Sequence, residues 1–166
     1  ASIAYIDALA PGRPMFVEEP VPPGETSALK AVALRAAVPL ATGERLVDRP
    51  EFVDLLNARA VDIIQPDICH CGGLGEAKKI AAMAEAFSVG VAPHNPLGPI
   101  AGAAALHFGF DVVQGQNKRV DGFWQVPEAP GLGIEVDENE CARHPFAPEV
   151  MHTRHAVLED GTIVDW

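Results

Sequence analysis

A chain of 166 residues is long enough for one domain with a real apolar core, and 48% of its residues are hydrophobic. A formal net charge of -11, with no basic stripe to offset it, excludes general nucleic-acid binding. No apolar run approaches the roughly 18 residues of a membrane-spanning helix, so no transmembrane helix is indicated and no membrane partner is expected.

Along the chain, short apolar runs alternate with amphipathic stretches. Ala1-Ser2-Ile3-Ala4-Tyr5 carries no basic leader and no initiator Met, and it reads as a start inside something larger. Met15-Phe16-Val17 runs into Glu18-Glu19-Pro20, and a helix is predicted from about Ser27 to Ala37, ended by Pro39. Pro39-Leu40-Ala41-Thr42 runs into Gly43-Glu44, followed by a helix over about Arg49 to Ala58 with Pro50 in its first turn. Val61-Asp62-Ile63-Ile64-Gln65 runs into Pro66-Asp67, and the clearest helical pattern covers Leu74 to Phe87. Val89-Gly90-Val91-Ala92 leads to Pro93-His94. A further helix, about Pro99 to Phe108, leads to the apolar run Asp111-Val112-Val113-Gln114.

This alternation predicts βαβ units and a parallel sheet, with strands apolar on both faces. Four successive strands end in Glu18, Glu44, Asp67 and His94. Chemically capable groups at the C-terminal ends of several strands are the habit of a (β/α) barrel rather than of an open sheet. Only about five strands are legible, where a closed barrel needs about eight. The expectation is therefore half a barrel over 1–114. The Pro-, Gly- and charge-rich remainder, 115–166, is read as a closing segment.

Glu18 and Glu44 end adjacent strands, so their carboxylates are candidates for a shared cation, and oxygen donors favour Mg²⁺. The same acids could equally be solvated loop groups or partners of Arg45 and Arg49. Asp67 and His94 also end adjacent strands. A carboxylate beside an imidazole fixes its tautomer and raises its basicity, as a general base requires. A structural histidine near Pro93 and Pro96 is the competing reading. His70, His107, His144, His152 and His155 lack such a setting and are read as structural or surface groups. Three cysteines are an odd count for a disulfide framework, and Cys69 and Cys71 are too close in sequence for an ordinary bridge. They are read as reduced thiols in a cytoplasmic protein. Cys69-His70-Cys71 lacks a second ligand pair, which disfavours zinc.

Phe16-Val17-Glu18-Glu19-Pro20, Ala41-Thr42-Gly43-Glu44-Arg45 and Ile64-Gln65-Pro66-Asp67 resemble three successive strand-end motifs of the mandelate racemase type of the enolase superfamily. The segment Ala92-Pro93-His94-Asn95-Pro96-Leu97-Gly98-Pro99-Ile100 is similar to its galactonate dehydratase branch. Cys71-Gly72-Gly73-Leu74, Pro130-Gly131-Leu132-Gly133 and the closing Trp166 agree with that. The resemblance covers almost the whole chain. It implies the C-terminal half of a TIM-type (β/α) barrel, with an N-terminal capping domain and the first strands outside these residues. It also implies Mg²⁺-dependent dehydration of a sugar acid to a 2-keto-3-deoxy acid. Glu18 and Glu44 would be metal ligands, the first acid of the Glu18-Glu19 pair being the one the family uses. His94 would abstract the proton alpha to the substrate carboxylate, and Asp67 would support it.

The resemblance implies two departures as well. A third metal ligand, an Asp, and an acid His two residues after it would both precede Ala1. Gly115 stands where the family's eighth strand carries a Glu. These 166 residues alone are therefore expected to be inactive, and an open strand edge predicts poor solubility or self-association. The competing functions are another sugar-acid dehydratase or epimerase, or a non-catalytic remnant that binds metal or a partner chain.

Overall fold

Val17–Glu18, Leu40–Thr42, Ile63–Ile64 and Gly90–Val91 form strands β1 to β4 of one sheet in the computed structural model, which describes residues 1–110, 121, 128–145 and 147. The strands pair in sequence order and all in parallel. Helices α1 (Ser2–Leu9), α2 (Thr26–Ala33), α3 (Arg49–Ala58), α4 (Leu74–Ala86) and α5 (Pro99–Phe110) alternate with them. Consecutive parallel strands with a helix in every crossover are the building pattern of a (β/α) barrel, and the chain is an α/β structure corresponding to the C-terminal half of one. The predicted strand at Asp111–Gln114, Gly115 and Trp166 lie outside the described residues.

The register sorts the strand residues onto two faces. Glu18 lies opposite Ala41, Ala41 opposite Ile63 and Ile63 opposite Gly90, so these four share one face. Val17 and Leu40 face the other way, as does Ile64, and all three are buried. They join Leu29 of α2, Phe52 and Leu56 of α3 and Ile80 of α4 in the main core cluster. The core therefore lies between sheet and helices. Glu18 and Gly90, by contrast, are exposed on the opposite face.

Local sequence explains the helix ends. Asp48 accepts from the Glu51 amide, and the Glu51 carboxylate returns to the Asp48 amide, which closes a capping box at the start of α3. Arg59 ends that helix in the left-handed region. Helix α2 is shorter than its pattern predicts. Its last turn tightens, with the Arg35 and Ala36 amides both bonded to the Val32 carbonyl. The chain then turns back to bury Val38 and Leu40. Helix α1 escaped the sequence reading because it is short and has no side-chain cap.

Two compact units are distinguished, Ala1–Ile134 and Glu135–Trp166. The second contains α6 (Glu138–Arg143), whose first amides bond to the Asp137 carboxylate. No described helix is long and apolar enough to cross a membrane.

Gly43, at the end of β2, has φ +138°, and a Cβ placed there would stand 2.9 Å from the Gln65 amide nitrogen and 3.1 Å from the Phe52 ring. Both neighbours are fixed, one by backbone and one by the core. Gly43→Ala should therefore destabilise the fold by roughly 2–4 kcal/mol, combining backbone strain with overpacking. A drop in the urea unfolding midpoint at unchanged slope would show it. An unchanged midpoint would mean that β2 and β3 part easily there.

Candidate active site

The segment after β3 is organised by one buried carboxylate. Asp67 is 2% exposed, and such a group must be satisfied internally. Its Oδ1 accepts the Cys69 amide at 2.7 Å. Its carbonyl accepts the amides of His70 at 3.1 Å and Cys71 at 2.8 Å, which rolls residues 67–71 into a tight turn. Gly72 and Gly73, with φ +96° and +89°, then carry the chain into α4.

The other oxygen of Asp67, Oδ2, lies 2.9 Å from Nδ1 of His94. The two residues also form a parallel bridge that prolongs the β3–β4 pairing. Their adjacency is thus built by backbone as well as by side chains. With Nδ1–H donating to Asp67, Nε2 is the ring atom left for chemistry. It stands 2.9 Å from Oε2 of Glu44. Glu44 Oε1 is 3.6 Å from Nε of Arg45. Each ring nitrogen of His94 thus lies 2.9 Å from a carboxylate oxygen, Nδ1 from Asp67 and Nε2 from Glu44.

The structure brings together three of the four residues singled out in the sequence, namely Glu44, Asp67 and His94. Glu18 ends the neighbouring strand at the same end of the sheet. No hydrogen bond or ion pair links it to the trio among the described residues. Glu19 behaves differently from Glu18. It has φ +46°, and its carboxylate accepts the hydroxyl of Thr42, which alternation puts on the helix-covered face. The adjacent acids are thereby separated, with Glu18 left on the open face. Among the described residues no three His, Cys, Asp or Glu side chains come together to hold a metal ion.

His70, expected to be a structural or surface group, is exposed, and its Nδ1 lies 3.0 Å from the Glu44 carbonyl with its ring centroid 6.4 Å from that of His94. Nothing in local sequence announces this, because the contact spans 26 positions. Cys69 is exposed, whereas Cys71 is buried in the core, and desolvation is the main cause pushing its thiol pKa up. His107 lies in α5 as predicted, and its Nε2 is buried without a partner among the described residues. His144 pairs with Glu140 at 3.2 Å, while His152 and His155 lie outside the described residues.

The family model described as "Enolase C-terminal domain-like" matches residues 1–113. A D-galactonate dehydratase of Cronobacter sakazakii is 39% identical over 97% of this chain and 49% of its own length, so the chain spans about half of the curated relative. A mandelate racemase/muconate lactonizing enzyme from a Sulfitobacter species superposes with a TM-score of 0.83 at 38% identity, over 91% of this chain and 42% of that one. An enolase from Agrobacterium radiobacter, solved with sodium and L-malate bound, is 46% identical with a TM-score of 0.63, over 65% of this chain and 27% of its own. With a parallel sheet whose strand ends carry Glu44, Asp67 and His94, and with two thirds of its length matched by the family model, the chain belongs to the enolase C-terminal domain-like family.

Proposed function

We propose that the chain is the base-bearing half of a sugar-acid dehydratase, a hydro-lyase acting on galactonate or a close relative. The observation that carries this reading is the 2.9 Å contact between the buried Asp67 carboxylate and His94 Nδ1. It fixes the imidazole so that Nε2 points away from Asp67 and toward Glu44, where a base that removes a proton alpha to a metal-held carboxylate would be presented. Relatives named D-galactonate dehydratase supply the substrate class, and the neighbour solved with L-malate is a protein of this type holding a small hydroxy acid.

The donor chemistry around His94 fits Mg²⁺. Glu18 and Glu44 offer carboxylate oxygens at the C-terminal ends of adjacent strands, and both retain exposure to solvent and substrate. The buried sulfur of Cys71 is favoured as a thiol by desolvation and suits no hard cation. Glu18 and Glu44 would hold Mg²⁺, which when bound supplies positive charge to offset the carboxylate of the substrate and the charge that develops on it. His94 Nε2 takes the alpha proton, while Asp67 keeps Nδ1–H in place throughout. Departure of the β-hydroxyl as water needs a proton donor, a role that the family resemblance gives to a His preceding Ala1 and not to His94.

The 166 residues by themselves are proposed to give no turnover, since two carboxylates hold Mg²⁺ weakly. The test compares the chain alone with the chain joined to the part of the Cronobacter sakazakii relative that it does not match. Each is incubated with galactonate and Mg²⁺ and followed for a 2-keto product. Turnover by the joined protein, lost with EDTA, is the expected result. Full turnover by the chain alone would sink the half-site proposal. No turnover by a folded joined protein on galactonate or other sugar acids would sink the dehydratase reading itself.

A further inference from the structure

Residues 67–73 form a short, tightly bonded turn, and it presents one side chain whose position the base and the metal ligands do not require. His70 is exposed, and its amide is held by the Asp67 carbonyl at 3.1 Å. Its ring is anchored by Nδ1 to the carbonyl of Glu44 at 3.0 Å. A carbonyl only accepts, so in the neutral ring Nδ1 carries the hydrogen and Nε2 carries the lone pair. Nε2 has no partner among the described residues. The ring is therefore pinned on one side and offers a single acceptor on the other, 6.4 Å from the His94 ring, centroid to centroid. That spacing is too long for the two rings to act on one hydrogen, but it suits two separated groups of one extended molecule.

We infer that His70 is a specificity-determining residue that accepts a hydrogen bond from a hydroxyl of the substrate beyond the carbon that His94 deprotonates. The inference rests on the sugar-acid reading above and deepens it. The ligand must be a polyhydroxy acid rather than a short one, because only a longer chain of hydroxyl-bearing carbons reaches from His94 to His70. The backbone anchor explains why a histidine serves. A flexible amide or hydroxyl would have to be ordered on binding, whereas this ring is already oriented.

The experiment uses the chain joined to the part of the relative that it does not match, with Mg²⁺, D-galactonate and, as a short acid without further hydroxyls, D-lactate. Imidazole resonances of His70 and His94 are followed by NMR during titration of each acid into the wild type, His70→Ala and His70→Gln. The expected result is that both acids move His94, while galactonate alone moves His70 Nε2. His70→Ala should then weaken galactonate about 3–10-fold, the scale of one neutral hydrogen bond, and leave lactate unchanged. His70→Gln, whose amide oxygen can reach the place of Nε2, should restore part of the loss. If His70→Ala leaves galactonate binding unchanged while His94 still responds to both acids, the inference about His70 is overturned and the site reading stands. If neither acid moves His94 in the wild type, the sugar-acid reading fails and His70 loses its role with it.

Discussion

His94→Asn, made in the chain joined to its missing barrel half, should lower formation of the 2-keto product by about 10²–10⁴-fold, the usual contribution of a positioned base. The substitution is conservative for the fold. Asn can still donate toward Asp67 Oδ2 from a shorter side chain, and the His94 side chain is 21% exposed, so little packing is lost. What disappears is Nε2, the one ring atom not committed to Asp67. The KM for galactonate should change far less than kcat, because the lost interaction acts on the alpha proton and not on the hydroxyls. Stability, read by urea unfolding, should shift by less than about 1 kcal/mol, which separates a lost base from a lost fold. Wild-type turnover in this variant would remove His94 from the mechanism.

Asp67→Asn should be nearly as damaging, through the tautomer of a residue it does not replace. The Cys69 amide donates to Asp67 Oδ1 at 2.7 Å and demands an oxygen there. An asparagine must therefore turn its NH₂ toward His94 Nδ1, which then has to accept. The ring hydrogen moves to Nε2, and the base is blocked. Imidazoles held in the wrong tautomer lose up to about 10⁴-fold in rate. Ring nitrogen shifts should show hydrogen on Nε2 in Asp67→Asn and on Nδ1 in the wild type. Unchanged shifts with full activity would mean that Asp67 serves the 67–71 turn alone.

Much of this arrangement was legible before the structure, for identifiable reasons. The expected helix over about Arg49 to Ala58, with Pro50 in its first turn, matches the observed Arg49–Ala58, and the structure adds the Asp48–Glu51 capping box. Asp67 and His94 could be paired because each ends a parallel strand, and strand order alone makes such ends neighbours. Other features depend on contacts that no local pattern encodes. Helix α2 stops early because the core recruits Val38 and Leu40. Glu18 and Glu19 are adjacent acids in sequence, and only the register with β2 assigns one to the open face and the other to Thr42. His70 reads as one more polar loop residue until the turn after β3 carries it onto the Glu44 carbonyl.

The central claim is that His94, oriented by Asp67, removes the proton alpha to the carboxylate. The most direct measurement isolates that step from loss of the hydroxyl. The joined protein is incubated in D₂O with Mg²⁺ and 3-deoxygalactonate, which cannot lose a β-hydroxyl, and deuterium at the alpha carbon is followed by NMR. The account predicts incorporation by the wild type and none above background by His94→Asn over the same time. Incorporation by His94→Asn at the wild-type rate would contradict it.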